Sequence, residues 1–206
     1  MKATMTFCIV VTSLFAVLPS VVAQDQSNNQ GDWKNHRFQL ASNTFTRGGT
    51  LPLSTVGGSA LCSYFAGGQN QSPELSWSNA PHGTRSFIVV LYDAVAGFTH
   101  WGMYNISATT TALPENAGVP GSSFGQQVGN DYGDQNYDGP CPPPQFTPPS
   151  HHYVFTVYAL DRTLPTLPTI GDFPPSAEGL YHVLIHEAAG GHILGKASLG
   201  SYFPAP

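Results

Sequence analysis

Tyr153 to Asp161 reads YVFTVYALD. Aromatic and β-branched residues recur on alternate positions, the period-2 pattern of a half-buried strand. Working outward, Ser86 to Asp93 (SFIVVLYD) is an almost unbroken β-branched and aromatic run and predicts a buried strand. His100 to Ser107 (HWGMYNIS) and Ile193 to Tyr202 (ILGKASLGSY) predict two more. Ser176 to Ala189 predicts a helix: Ser176 caps it, Leu180, Val183, Leu184 and Ala188 share a face, and Gly190-Gly191 stops it. Between the second and third strands, Pro114 to Ser150 is rich in Gly, Pro and Asn and has no periodicity. A loop that long inside a compact domain is usually functional. Many strands, few helices and frequent turns predict a mainly all-β chain. Its architecture is a sandwich of two antiparallel sheets with one or two short helices, one near the C-terminus. No internal repeat is visible.

Composition agrees. Of 206 residues, 12 are acidic and 7 are Lys or Arg, so only 9% are charged, while 12% are aromatic. Disorder needs the opposite balance. With 22 Gly and 18 Pro the chain is also a poor helical bundle. The net charge is −5 and no basic run occurs. A nucleic-acid surface needs clustered Lys and Arg to replace phosphate counterions, so that partner class is excluded.

The N-terminus reads as a targeting segment. Lys2 precedes an apolar run from Met5 to Leu18, and Val21 and Ala23 occupy the −3 and −1 positions of a cleavage site. Residues 1–23 are therefore expected to be a signal peptide cleaved after Ala23, and the protein to be secreted or periplasmic. The alternative, a membrane anchor, asks for about 20 apolar residues, more than this run offers, and no later stretch is long enough to span. Residues 24–37 read as a flexible polar tail and residues 38–206 as one domain. Cys8 leaves with the signal. Cys62 and Cys141 remain as an even pair, which export makes a disulfide; two separate thiols are the alternative.

Three motif readings fail on inspection. Asp134-Gln-Asn-Tyr-Asp138-Gly139 opens like a calcium loop, but Gln145 stands at the twelfth position and Pro140, Pro142, Pro143 and Pro144 forbid the exit helix. An Asx-rich turn is the plainer reading. His182, His186, Glu187 and His192 suggest a zinc-protease helix, but His186 and His192 are six apart and a Gly pair intervenes. No nucleophile elbow or phosphate loop is present. No metal or cofactor is expected. Asn105-Ile-Ser107 is a glycosylation sequon, and Asn70-Gln-Ser72 is a poor one because Pro73 follows.

A fourth constellation is spread along the chain. Asp93 ends one predicted strand, His100 opens the next, and His151 and Tyr153 open a third. Gly139, Pro140, Cys141 and Pro142 lie in the long loop. In an antiparallel sandwich such strand ends converge on one mouth. Two imidazoles, a phenol and backbone N–H groups suit a phosphate or carboxylate, and Asp93 would fix one imidazole's tautomer.

Four blocks carry a family resemblance: SPELSWSNAPHGTRSF (Ser72 to Phe87), HWGMYNI (His100 to Ile106), GNDYG…YDGPCPP (Gly129 to Pro143) and HHYVFTVYALD (His151 to Asp161). With GHILGKASLGSY (Gly191 to Tyr202), their order and spacing resemble the phosphatidylethanolamine-binding protein family, in particular its bacterial-type, Raf-kinase-inhibitor-like branch. The resemblance spans about Phe38 to Tyr202. It implies a two-sheet sandwich with a small anion pocket at one end for phosphate, acetate or a phospholipid headgroup. Asp93 then matches the first Asp of the family's DPDAP block, His100 its HW histidine, and His151 and Tyr153 its HHY block. Gly139 to Pro142 form the Gly/Pro wall. This chain departs at Asp93-Ala-Val-Ala-Gly97, where Val95 replaces the second Asp and both prolines are missing. Extra proline-rich residues from Pro144 to Ser150 precede His151.

The leading expectation is a non-enzymatic binding protein. Asp93 orients an imidazole, His100, His151 and Tyr153 donate to a small anion or headgroup, and Gly139 to Pro142 give shape and free N–H groups. A protease inhibitor docking around the same mouth is the second reading, and a hydrolase using His100, His151 and Asp93 is the third.

Overall fold

The computed structural model describes residues 37–58, 62–63, 65–144, 148–169 and 174–206. The expected signal peptide, the tail as far as residue 36 and Gln145 lie outside the described residues. In chain order the strands are β1 (Gln39–Ala41), β2 (Leu75–Ser78), β3 (Ser86–Asp93), β4 (Phe98–Ser107), β5 (Ala112–Leu113), β6 (Gln126–Gln127), β7 (Ser150–Leu160) and β8 (Ile193–Pro204). A 3-10 turn covers Leu53–Thr55, and the α-helix of the described residues, α1, covers Ala177–Ala189. The order β1-β2-β5 makes a small sheet and β6-β4-β3-β7-β8 a large one. Every strand pairing is antiparallel. The expected sandwich of two antiparallel sheets with a C-terminal helix is the fold observed.

β3 is apolar almost throughout because both faces of the large sheet are covered. Phe87, Val89 and Leu91 join Trp101, Phe155, Leu199 and Phe203 in the core between the sheets, with Leu40 and Trp77 from the small sheet. Ile88 points the other way, into a second cluster with Tyr104, Val128, Leu160, Leu180 and Leu184 beneath α1. Over most of its length such a strand does not alternate, since both faces are covered; only at Val90 and Tyr92 does the outer face open toward solvent.

Three boundaries run further than the residue pattern predicts. β4 begins at Phe98, β7 at Ser150 and β8 ends at Pro204. Pairing with a neighbour supplies what local propensity lacks: Ser150, His151 and His152 lie opposite Pro204, Phe203 and Tyr202. The long loop also contains the short edge strand β6, which pairs with Met103 and Tyr104.

α1 begins as expected, with the Gly179 amide donating to Ser176 Oγ at 3.1 Å. Its buried face is corrected: Ala177, Leu180, Leu184 and Glu187 are buried, whereas Ala188 is exposed and Val183 only half-buried. Glu187 tolerates burial because the Arg162 Nε lies 3.7 Å from its carboxylate.

The core makes a direct prediction. Phe155 is fully buried, and Phe155→Ala should lower stability by about 3–5 kcal/mol in urea unfolding. Tyr181→Ala, on the exposed side of α1, should stay within about 0.5 kcal/mol of the parent.

Candidate functional site

β3 ends where β7 begins. Asp93 lies opposite Tyr153 on β7 and opposite Phe98 on β4. Side chains two apart along a strand share a face, so His151, Tyr153 and Asp93 all turn toward the space between the sheets. His100 reaches the same place through a β-bulge. Leu91 pairs with Trp101 and Tyr92 with Thr99, which leaves His100 as the extra residue on β4. A bulge of this kind re-aims a side chain. Without it, His100 would follow Gly102 to the outer face, where Thr99 lies. With it, the His100 ring centre stands 5.4 Å from that of Tyr153 and 4.9 Å from that of Phe98. His151 stacks against Tyr153 at 6.3 Å. The four residues the sequence placed at one mouth, Asp93, His100, His151 and Tyr153, are brought together, and all four are buried.

Asp93 divides its carboxylate between two tasks. Oδ1 accepts from the amides of Val95 and Ala96 at 2.8 and 3.0 Å. Oδ2 accepts from His151 Nδ1–H at 2.6 Å. The first pair, with Gly97 at φ +68°, holds the β3–β4 turn that lacks the family's prolines. The second fixes the His151 tautomer.

His100 is held differently. Its Nδ1–H donates to the Asp138 carbonyl at 2.8 Å, so in the neutral ring Nε2 is a lone pair. Burial outweighs the nearby Asp93 and Asp131 carboxylates and pushes its pKa down to about 4. The expectation that His100 donates to a guest is thereby corrected: at neutral pH this ring accepts. The Tyr153 hydroxyl is buried without a hydrogen-bond partner of good geometry. Burial, then the Asp93 carboxylate alongside, pushes its pKa up, so it remains a proton donor.

The Gly/Pro wall is also corrected in its role. Gly139 N–H is spent on Asn70 Oδ1 at 2.7 Å, and the Pro140 carbonyl accepts from Gly57 N–H at 3.0 Å. A Cβ on Gly139 would sit 2.0 Å from the Thr55 carbonyl oxygen, so only glycine fits. Pro140 and Pro142 have no N–H to offer. Gly139, Pro140 and Pro142 give shape rather than donors. Cys141 is bonded to Cys62 across 79 residues, which ties the wall to the segment after the 3-10 turn.

Residues that the motif reading passed over do the positioning. The Asp138 carboxylate is buried and accepts from the amides of Asn130, Asn70 and Asn136 at 2.7, 2.9 and 3.0 Å. The Asp138 N–H and Asn130 Nδ2 both reach the His100 carbonyl, which the bulge removes from the sheet ladder. The false calcium loop is thus an Asx-rich knot that holds His100. Asn density in the sequence was the available signal. Among the described residues, no group of three or more His, Cys, Asp or Glu is placed to hold a metal. His182 pairs loosely with Glu178 on the exposed face of α1, and His192 faces Asp161. The sequon residue Asn105 is clasped to both backbone groups of Leu164 at 2.7 and 2.9 Å, which occupies its amide nitrogen.

Two measurements check this geometry. Cys62→Ser with Cys141→Ser should cost about 4 kcal/mol by loop-closure entropy, read in chemical unfolding. His100 should titrate near pH 4 by NMR rather than in the usual imidazole range. Its proton is bound more readily unfolded than folded, so its contribution to stability is full above about pH 6.5. That contribution is lost as pH falls toward about 4, for a total of about 3 kcal/mol; a flat stability curve over that window would contradict the burial argument.

Comparison with known proteins agrees with the fold. The family model for "Phosphatidylethanolamine-binding protein" matches residues 41–204. The chain is 41% identical over 133 residues to the Escherichia coli UPF0098 protein YbcL, covering 60% of this chain and 68% of that one. It is 38% identical over 143 residues to a UPF0098 protein of Methanothermobacter thermautotrophicus, covering 66% and 84%. The crystal structure of Escherichia coli YbcL, described as a new member of the mammalian PEBP family, superposes with a TM-score of 0.65 at 32% identity, over 82% of this chain and 99% of that one. The Chlamydia trachomatis homologue CT736 gives 0.63 at 28% identity, over 83% and 99%. Matched in sequence over almost every described strand and in fold to two solved relatives, this chain belongs to the phosphatidylethanolamine-binding protein family.

Proposed function

We propose that this protein is an exported, non-enzymatic binding protein whose site at Asp93, His100, His151 and Tyr153 takes a small oxygen acid: a phosphate, a carboxylate or a phospholipid headgroup. The observation that carries the reading is the convergence of three strand ends on one buried cluster whose polar atoms exceed what the fold requires. Asp93 and the Asn knot hold two imidazoles in fixed tautomers, and Tyr153 keeps its proton. A core built only for stability would place apolar side chains there.

Chemistry also favours binding over catalysis. Cys141 is consumed in a disulfide. The Tyr153 hydroxyl is a poor nucleophile while burial holds its proton. Burial leaves His100 little basicity, and its Nδ1–H leans on a carbonyl rather than a carboxylate. Export is supported by the Cys62–Cys141 bond, since disulfides persist in oxidising compartments. Charged hydrogen bonds contribute about 1.5–3 kcal/mol each, and association consumes much of that sum. A bare anion should therefore bind weakly, and tight binding would need further contacts.

Calorimetry with phosphate, acetate and phosphoethanolamine tests the proposal. Binding heat should be present in the parent and lost in His151→Ala and Tyr153→Phe, with folding checked by circular dichroism. Unchanged heats in both variants would remove the site from consideration.

A further inference from the structure

The hydrogens in this site are almost all committed. His151 Nδ1–H goes to Asp93 and His100 Nδ1–H to the Asp138 carbonyl. Gly139 N–H goes to Asn70. The amides of Val95 and Ala96 go to Asp93. The charged and titratable groups facing His100 are Asp93 from β3, Asp131 from the long loop and His151 from β7, with the Asp138 carbonyl on its Nδ1. Tyr132 and Tyr153 pack against its ring. None of these is a lysine or an arginine. Arg85, next to Ser86, lies at the other end of β3, and Arg162 and Lys196 flank the same end of the sheet. Seven strand residues separate Arg85 from Asp93, and Lys196 lies level with Ile88, five residues or about 16 Å along the strand from Asp93; Arg47, nearer in register, is turned to the Ser198 carbonyl at 2.8 Å. Among the described residues, no lysine or arginine is one of the groups acting on His100, so a fully deprotonated dianion entering here would meet the Asp93 carboxylate and the His100 lone pair without such a cation beside them.

Resting on the anion-site reading above, we infer that the guest is an oxygen acid that keeps one acidic hydrogen, which it donates to His100 Nε2. The class is a phosphomonoester or hydrogen phosphate in its monoanionic form, in preference to a phosphodiester or sulfate. The guest's remaining oxygens then take the Tyr153 O–H, while its own O–H satisfies the acceptor that the bulge and the Asn knot hold in place. Burial, which pushes the His100 pKa down to about 4, keeps that ring an acceptor across the neutral range. A site built to receive a hydrogen rejects an analogue that lacks it, because a guest that excludes water from the acceptor without donating to it leaves that acceptor unpaired. The same chemistry fits free phosphate or a phosphorylated metabolite, but not the diester of an intact phospholipid.

Three probes separate these cases in calorimetry on the folded protein from pH 5 to 8: methyl phosphate, dimethyl phosphate and sulfate. At pH 5 methyl phosphate and dimethyl phosphate carry the same charge, and only the first has an acidic hydrogen. Methyl phosphate should bind about tenfold tighter or more. Above its second pKa, about 6, its affinity should fall tenfold per pH unit, with uptake of one proton on binding. His100→Gln, which can donate as well as accept, should reduce the preference over dimethyl phosphate and sulfate to about threefold or less. Methyl phosphate affinity that is flat across pH 5 to 8, or equal binding of all three probes, overturns the inference and leaves the anion site standing. Binding of none of them at any pH overturns both.

Discussion

The antiparallel register of β3 against β7, with Asp93 opposite Tyr153, is the constraint on which the site depends. It sets the end of one strand beside the start of another. It also decides that His151 and Tyr153 face inward with Asp93. Because strand side chains alternate, a slip of one residue would send both to the outer face and bring His152 and Val154 in. The register is strongly specified because the same slip would turn Phe155 and Val157 out of the core between the sheets and bring Thr156 and Tyr158 into it. The apolar core therefore fixes the polar site. The hydrophobic term is non-directional, yet through the pleat it aims an imidazole.

Burying this much polarity has a cost, and the structure meets it locally. Asp138 is a buried carboxylate held by three amide donors rather than by a cation. Asp93 feeds a turn with one oxygen and His151 with the other. Both solutions keep the region free of lysine and arginine side chains, which carry high rotamer entropy. The result is a rigid acceptor-rich cluster. Its wall is clamped by the Cys62–Cys141 bond and by a glycine that has no room for a side chain.

Several features were legible along the chain. The strands beginning at Ser86 and Tyr153 show themselves by β-branched and aromatic density, and the capped helix by Ser176 and the Gly pair. The pairing of Cys62 with Cys141 follows from counting. Other features were not legible, for identifiable reasons. Apolarity alone points to Ala188 as part of the helix's buried face, whereas Arg162 across the interface makes Glu187 the buried residue. The Gly139 amide looks free along the chain because nothing local shows that Asn70, 69 residues away, claims it. Asn105 reads as an acceptor for sugar until Leu164 is seen to occupy it.

The sequence alone determined which elements form and which residue types gather at strand ends, because periodicity and turn chemistry are local properties of the chain. It also carried the family resemblance, since the blocks and their spacing are linear. Only the tertiary structure decided that His100 turns inward, because a bulge is defined by the strand beside it. It likewise decided that His100 accepts rather than donates, because a ring's tautomer is set by the carbonyl it meets and its charge by how deeply it is buried.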